Sequence, residues 1–222
     1  MELMEQVLPF YVVCDESYSM ENDIAALNDG LRELHAAVGS DPVVADKTRF
    51  CVIGFSDDAE VLLELSDLSE VTQMQGLTVK GGTNYGAAFK LLRDTIDADV
   101  AQLKSDGCRV YRPAAFFLSD GQPNYDWKDD YDRLVDPAWK PRPNIVAFGF
   151  GSVDEATISS IGTFKSFVAN GTLNPGDALH EFASALTKSI VQSGTNMTDE
   201  GKVDLQVPNE VPGFTTLPAD EL

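Results

Sequence analysis

Residues 7–20 read Val7-Leu8-Pro9-Phe10-Tyr11-Val12-Val13-Cys14-Asp15-Glu16-Ser17-Tyr18-Ser19-Met20. An apolar run, rich in aromatic and β-branched side chains and without alternation, leads straight into a cluster of small oxygen-bearing residues. A run that does not alternate suits a central strand covered on both faces, which is the habit of parallel sheets flanked by helices. The chain therefore reads as α/β. Asp15, Ser17 and Ser19 follow at intervals of two, so an extended backbone would carry all three side chains to one side. Carboxylate and hydroxyl oxygens are hard donors, suited to Mg²⁺, Mn²⁺ or Ca²⁺ rather than to soft metals. Taken alone, the same residues would also serve to turn the chain and cap a helix.

With 222 residues, 43% of them hydrophobic, the chain can bury one sizeable core. The expected division is one domain over 1–195 and an acidic, Pro-containing tail over 196–222. The balance of 36 acidic against 16 basic residues gives a net charge of −20. That charge repels phosphates, which argues against nucleic acid or an anionic membrane as partner and leaves cations and basic protein surfaces. Cys14, Cys51 and Cys108 are scattered, with no CxxC and no histidine at ligand spacing, so neither a zinc site nor a disulfide framework is suggested. Cys14 and Cys51 lie in apolar runs and are expected to be buried small hydrophobes. The start of the chain has no basic n-region and no segment approaches the roughly 20 apolar residues of a membrane span, so a cytoplasmic location is expected.

After the opening strand, Ile24, Leu27, Leu31, Leu34 and Val38 recur at helical spacing, with Ser19 or Asn22 as the expected cap and Gly39 as the stop. His35 sits beside that stripe as a helix-surface residue. Residues 50–55 and 59–65 read as two strands, and the short Ser56-Asp57-Asp58 turn between them requires an antiparallel hairpin, with Asp57 and Asp58 as exposed turn carboxylates. A short helix is expected over Leu68 to Met74. Then comes Gly81-Gly82-Thr83-Asn84, in which two glycines permit close approach of the backbone and Thr83 stands at the head of a long helix through Phe89, Leu92, Ile96 and Val100. The run Ala114 to Leu118 is a further buried strand, ending in Ser119-Asp120-Gly121-Gln122; an acid there points into the crevice where open α/β sheets place ligands. An irregular helix over 124–140, a strand over 144–150, a helix over 154–161, a last edge strand over 163–168 and an amphipathic helix over 178–193 complete the pattern.

Three ordered phrases, Asp-x-Ser-x-Ser after the first strand, Gly-Gly-Thr-Asn before a helix and Leu-Ser-Asp-Gly after a later strand, together resemble a von Willebrand factor A domain across residues 7–193. Within that family the phrasing is similar to free-standing bacterial proteins of the tellurite-resistance TerY-like group. The resemblance implies a doubly wound, Rossmann-like, mostly parallel six-stranded sheet with one antiparallel edge strand and helices on both faces. It also implies a metal-ion-dependent adhesion site (MIDAS): Ser17, Ser19 and Thr83 ligating Mg²⁺ or Mn²⁺ directly, and Asp15 and Asp120 holding it directly or through water. Neutral hydroxyls leave the cation's charge under-neutralised, so it can accept an Asp or Glu offered by a partner protein. Tyr18, where many members have Gly, would form the partner-binding rim with Asn84, Tyr85 and Gln122.

The expected function is thus a non-enzymatic, metal-dependent adaptor in a bacterial stress-response or phosphorylation module. One alternative is a Mg²⁺-dependent phosphoryl-transfer enzyme with Asp15 as nucleophile. Against it, dehalogenase-like sites want a second Asp where Ser17 stands. A subunit that couples to a ring ATPase is the other alternative.

Overall fold

The computed structural model describes residues 5–197 and 203–217. Strands β1 (Gln6–Asp15), β2 (Thr48–Phe55), β3 (Ala59–Ser66), β4 (Arg109–Val110), β5 (Ala114–Ser119), β6 (Asn144–Gly149), β7 (Lys165–Ala169) and β8 (Phe214–Leu217) make one sheet. Its order is β3-β2-β1-β5-β6-β7-β8, with β4 pairing the start of β1. The helices are α1 (Ile24–Gly39), α2 (Pro42–Lys47), α3 (Tyr85–Ser105), α4 (Lys128–Val135), α5 (Glu155–Ile161) and α6 (Pro175–Thr195). The sheet is α/β and mostly parallel, and none of the described helices is long and apolar enough to cross a membrane.

β1 is the central strand its composition demands. Every residue from Val7 to Asp15 is buried, and β2 and β5 pair with it in parallel on its two sides. Alternate side chains feed two separate cores. Phe10, Val12 and Cys14 join Leu27 and Leu31 of α1, Val44 of α2 and Phe182 and Leu186 of α6. Tyr11 and Val13 join Phe89 and Ile96 of α3, Leu134 of α4 and Ile158 of α5 on the other face. Both halves of a strand without polar alternation are thereby dry, each large apolar side chain contributing roughly 1.5–3 kcal/mol. Cys14 and Cys51 are fully buried, as expected. The register sets Cys14 beside Leu118, so the chain leaves β1 at Asp15 next to the point where it leaves β5 at Ser119.

Four differences from the sequence reading have local causes. The sheet has two antiparallel edges instead of one: β3 pairs β2 through the expected hairpin, and β8 pairs β7. β7 is therefore not an edge. The second edge comes from the expected tail, whose described parts are 196–197 and 203–217; the latter lies against the body, with Val211 and Phe214 buried and Phe214 centred 5.4 Å from Phe148. Residues 198–202 and 218–222 of that tail lie outside the described residues. No helix forms over Leu68 to Met74. The segment between β3 and α3 runs without regular structure, plugged into the core by Leu68 and Leu77. His35 holds it from α1, donating from Nε2 to the carbonyls of Leu68 at 3.1 Å and Val71 at 2.8 Å. Finally, α1 begins at neither expected cap; Asp23 precedes it without a side-chain cap bond, which leaves the Ser19 hydroxyl free for other partners.

Candidate metal-binding site

Four loops meet where β1, β2 and β5 end. The first leaves β1 at Asp15, whose carboxylate takes one hydrogen bond on each oxygen: Oδ1 accepts the Ser17 amide at 2.8 Å and Oδ2 accepts the Ser119 hydroxyl at 2.5 Å. The backbone does not stay extended after Asp15. A 3₁₀ turn over Tyr18–Asn22 follows, and this turn, rather than a strand-like alternation, brings Ser19 back beside Ser17, with their hydroxyls 2.9 Å apart. Ser19 Oγ then donates to Asp120 Oδ1 at 2.6 Å, linking the first loop to the one after β5.

Thr83 arrives on the loop before α3, buried at 5% exposure. It does not cap that helix. The cap is Asn84, whose side-chain oxygen accepts the Ala87 amide at 3.1 Å. The Thr83 backbone is clamped instead: its amide donates to Asn124 Oδ1 and its carbonyl accepts the Asn124 amide, each at 2.8 Å. Its hydroxyl faces the same spot as that of Ser19. A Cβ on Gly121 would stand 3.8 Å from Thr83 Oγ1 and 3.7 Å from Ser19 Oγ, so both hydroxyls lie within contact distance of the same point beside Gly121.

Asp15, Ser17, Ser19, Thr83 and Asp120 are thus brought to one place. The four rim candidates divide. Tyr18 is 72% exposed and Gln122 is also exposed, both at the mouth. Asn84 is committed to capping and to the Asp57 carbonyl, reached from Nδ2 at 2.9 Å. Tyr85 is not on the rim at all: it is fully buried, donates its hydroxyl to the Gly121 carbonyl at 2.7 Å and packs 4.9 Å from Phe117. Its place four residues before Phe89 on the α3 stripe is the signal that marks it as core.

Several supporting residues carry no such signal. Ser119 fixes the Asp15 carboxylate. Asp57 is exposed, as a turn residue should be, yet its Oδ1 accepts both the Gly82 amide and the Tyr125 hydroxyl at 3.1 Å and so braces the glycine loop. Gly81 has φ +24°, and any Cβ there would run into that carboxylate. Tyr125, half exposed, thereby joins Tyr18 at the mouth. Glu16, 1% exposed, turns away from the metal candidates. Its Oε1 accepts the Thr78 amide at 2.7 Å and its Oε2 pairs with Lys80 at 3.2 Å, while Lys80 also pairs with Glu60. Glu16 is thus a strut between β1 and the glycine loop. Gly54 makes room for it, since a Cβ there would stand 2.3 Å from Glu16 Oε2. Gly54→Ala is accordingly expected to cost about 1–3 kcal/mol by overpacking, read as a lowered urea midpoint; an unchanged midpoint would show that the strut can move freely.

The electrostatics are lopsided. Burial pushes the Asp15 carboxyl up, against the lowering effect of the Ser119 and Ser17 hydrogen bonds. Burial likewise pushes Asp120 up to about 6, opposed by the Ser19 hydrogen bond and reinforced by the charge of Asp15. Among the described residues, neither acid has a cationic side chain within ion-pair distance; Lys80 is taken by Glu16 and Glu60. Two buried carboxylates with no positive partner and three converging hydroxyls form an all-oxygen set short of positive charge, which fits a hard divalent cation. Among the described residues no three His, Cys, Asp or Glu gather as a metal cluster, so the set depends on its hydroxyls.

A sequence model described as the von Willebrand factor type A domain matches residues 10–122. No curated protein matches the chain. Among solved structures, the chain is similar to the ArnB paralog VWA2 from Sulfolobus acidocaldarius, at 18% identity and TM-score 0.58, covering 83% of this chain and 45% of that one. It is similar to the pilus adhesin SpaC from Lactobacillus rhamnosus GG, at 14% identity and TM-score 0.64, covering 84% and 30%. A third is proximal thread matrix protein 1 from the mussel byssus, in a structure with a zinc-occupied MIDAS motif, at 16% identity and TM-score 0.57, covering 85% and 48%. This chain spans less than half the length of each. At these identities the likeness is one of fold.

Proposed function

This chain belongs to the von Willebrand factor type A domain family, and from that membership we propose that it is a metal-dependent interaction module that captures a carboxylate of a protein partner. Domains of this family generally mediate protein–protein interactions. The observation that carries the proposal is the pair of buried carboxylates Asp15 and Asp120, without a cationic side chain at ion-pair distance among the described residues, gathered with Ser17, Ser19 and Thr83. These five residues would hold Mg²⁺ or Mn²⁺. When bound, the ion would supply a Lewis-acidic position able to take an Asp or Glu from outside, because hydroxyl ligands leave part of its charge unspent.

The chain's own residues prepare that position. Ser119 and the Ser17 amide fix the Asp15 carboxylate, Asn124 fixes Thr83, and Gly121 keeps the mouth clear. Tyr18, Tyr125 and Gln122 surround it with surface on which a partner can rest, exposed tyrosines being favourable interface anchors. The wording of the three motif phrases, similar to that of the TerY-like group, is what supports placing this activity in a bacterial stress-response or phosphorylation module.

Titration calorimetry of Mg²⁺ and of Mn²⁺ into wild type and Asp15→Ala tests the assignment. Saturable heat is expected from wild type and none from the variant. Equal heats from both would remove Asp15, and with it the proposed site, from consideration.

A further inference from the structure

The pole of the sheet opposite the acidic loops gathers basic side chains at one cleft. Because β1, β5 and β6 run parallel, the segments that enter β5 and β6 lie together at the far edge, and α3, which starts beside Thr83, ends there. Between them is a half-open cleft of about 220 Å³. Val100, Val110, Pro113 and Pro141 give it an apolar lining, and Lys104, Arg112 and Lys140 also line it. Arg142 stands next to it, its carbonyl accepting Arg112 Nη1 at 2.7 Å.

The chain has 36 acidic and 16 basic residues, and among the described residues Lys104, Arg112, Lys140 and Arg142 have no carboxylate within ion-pair distance. Lys47, Lys90, Arg93, Lys128, Lys165 and Lys188 share that state, so what marks these four is their gathering at one cleft. Lys104 lies in the last turn of α3, where a cation complements the helix end, and Arg142 Nη1 donates to the Pro137 carbonyl at 3.0 Å. The charge on Arg112 is disfavoured first by burial and then by the nearby Arg142. Like charges gathered without a counter-ion around an apolar lining are the complement of an anionic group that carries apolar surface of its own.

We propose that this cleft docks an acidic peptide segment of a partner protein, an aliphatic side chain covering the apolar lining and flanking carboxylates meeting Arg112, Lys140 and Lys104. The cleft is smaller than the roughly 300–1,000 Å³ of pockets that enclose small molecules. A net charge of −20 repels a long polyanion such as DNA far more than a peptide with a few carboxylates. The domain would then recognise acidic groups at both poles of its sheet, one through metal and one through fixed positive charge. This second recognition does not depend on the metal site.

The test uses the full chain in excess chelator and a fluorescein-labelled peptide of glutamates flanking one leucine, followed by anisotropy. Saturable binding that weakens with added salt is expected. Arg112→Glu combined with Lys140→Glu should weaken it roughly tenfold or more, and the milder Arg112→Gln with Lys140→Gln should weaken it less but measurably. Binding measured in excess chelator does not pass through a metal ion, which separates this cleft from the metal site. Equal binding by wild type and both double variants overturns the proposal. So does tighter binding of a DNA duplex than of the peptide.

Discussion

Asp120→Asn should raise the melting temperature of the metal-free protein at pH 7.5 and, in the same protein, erase the rise that Mg²⁺ gives wild type. The Asp120 carboxyl is 6% exposed, accepts one hydrogen bond from Ser19 and faces the charge of Asp15 with no cation beside it. Burial is the main cause that moves it from an ordinary 3.8 to about 6. The folded protein therefore holds this proton more tightly than the unfolded chain does, and protonation favours the fold. That contribution is complete below about 3.8 and is lost as pH rises through about 6. Above that window the ionised carboxylate costs the metal-free fold about 1–3 kcal/mol. Asparagine keeps the shape and the acceptor for Ser19 but carries no charge, so most of that cost disappears, worth about 4–8 °C near the middle of the range. At pH 4 the two proteins should melt together. Scanning calorimetry in chelator across pH 4 to 8 reads this directly. A variant that melts below wild type at pH 7.5, or that still gains the full Mg²⁺ increment, would contradict the picture of an acid kept in place for a cation.

The second large effect belongs to the core beneath the site. Phe117, 1% exposed, stacks on Phe55 at 5.5 Å and meets Tyr85 at 4.9 Å and Phe89 at 5.3 Å. Phe117→Ala should cost about 3–5 kcal/mol by transfer and cavity terms, against a total of about 5–15 kcal/mol for an ordinary domain. The loss should reach the site as well. Tyr85 leans on Phe117 and holds the Gly121 carbonyl at 2.7 Å, and Gly121 lies beside the hydroxyls of Ser19 and Thr83. Urea unfolding together with Mg²⁺ titration should show both a large fall in stability and a weaker metal affinity. Phe117→Leu, which keeps most of the volume, should cost under about 1.5 kcal/mol. A loss below about 1 kcal/mol for the alanine variant would mean that the aromatic cluster collapses around the gap, and the link from core to site would fail with it.

The parts of this fold legible in the sequence are those where local pattern and tertiary environment ask for the same thing. β1 is buried on both faces and its sequence is apolar on both faces; α1, α3 and α6 carry a single stripe and cover a single face. Asp15, Ser17, Ser19, Thr83 and Asp120 were visible because each stands at the end of such an element. What could not be read depends on partners far along the chain. Glu16 looks like an exposed loop acid until Lys80 and Thr78 arrive from more than sixty residues away. Asn124 pairs with Thr83 across 41 positions. The six-residue α2 is too short to show a period. β8 is four residues among prolines and acids, and it is a strand only because β7 offers it an edge.

That last strand bears on how the molecule is made. β7 precedes β8 by more than forty residues, and all of α6 lies between them. A ribosome releases the sheet in the order in which it is encoded, so the flank of β7 stays open, its backbone groups unpaired, until residue 217 has cleared the exit tunnel. During synthesis the opposite flank closes early, with β3 following β2 by a three-residue turn. Between the synthesis of β7 and that of β8 the nascent sheet thus keeps the flank of β7 open. Unpaired strand edges of this kind are where neighbouring chains join by mistake, so the arrival of β8 is what covers this one.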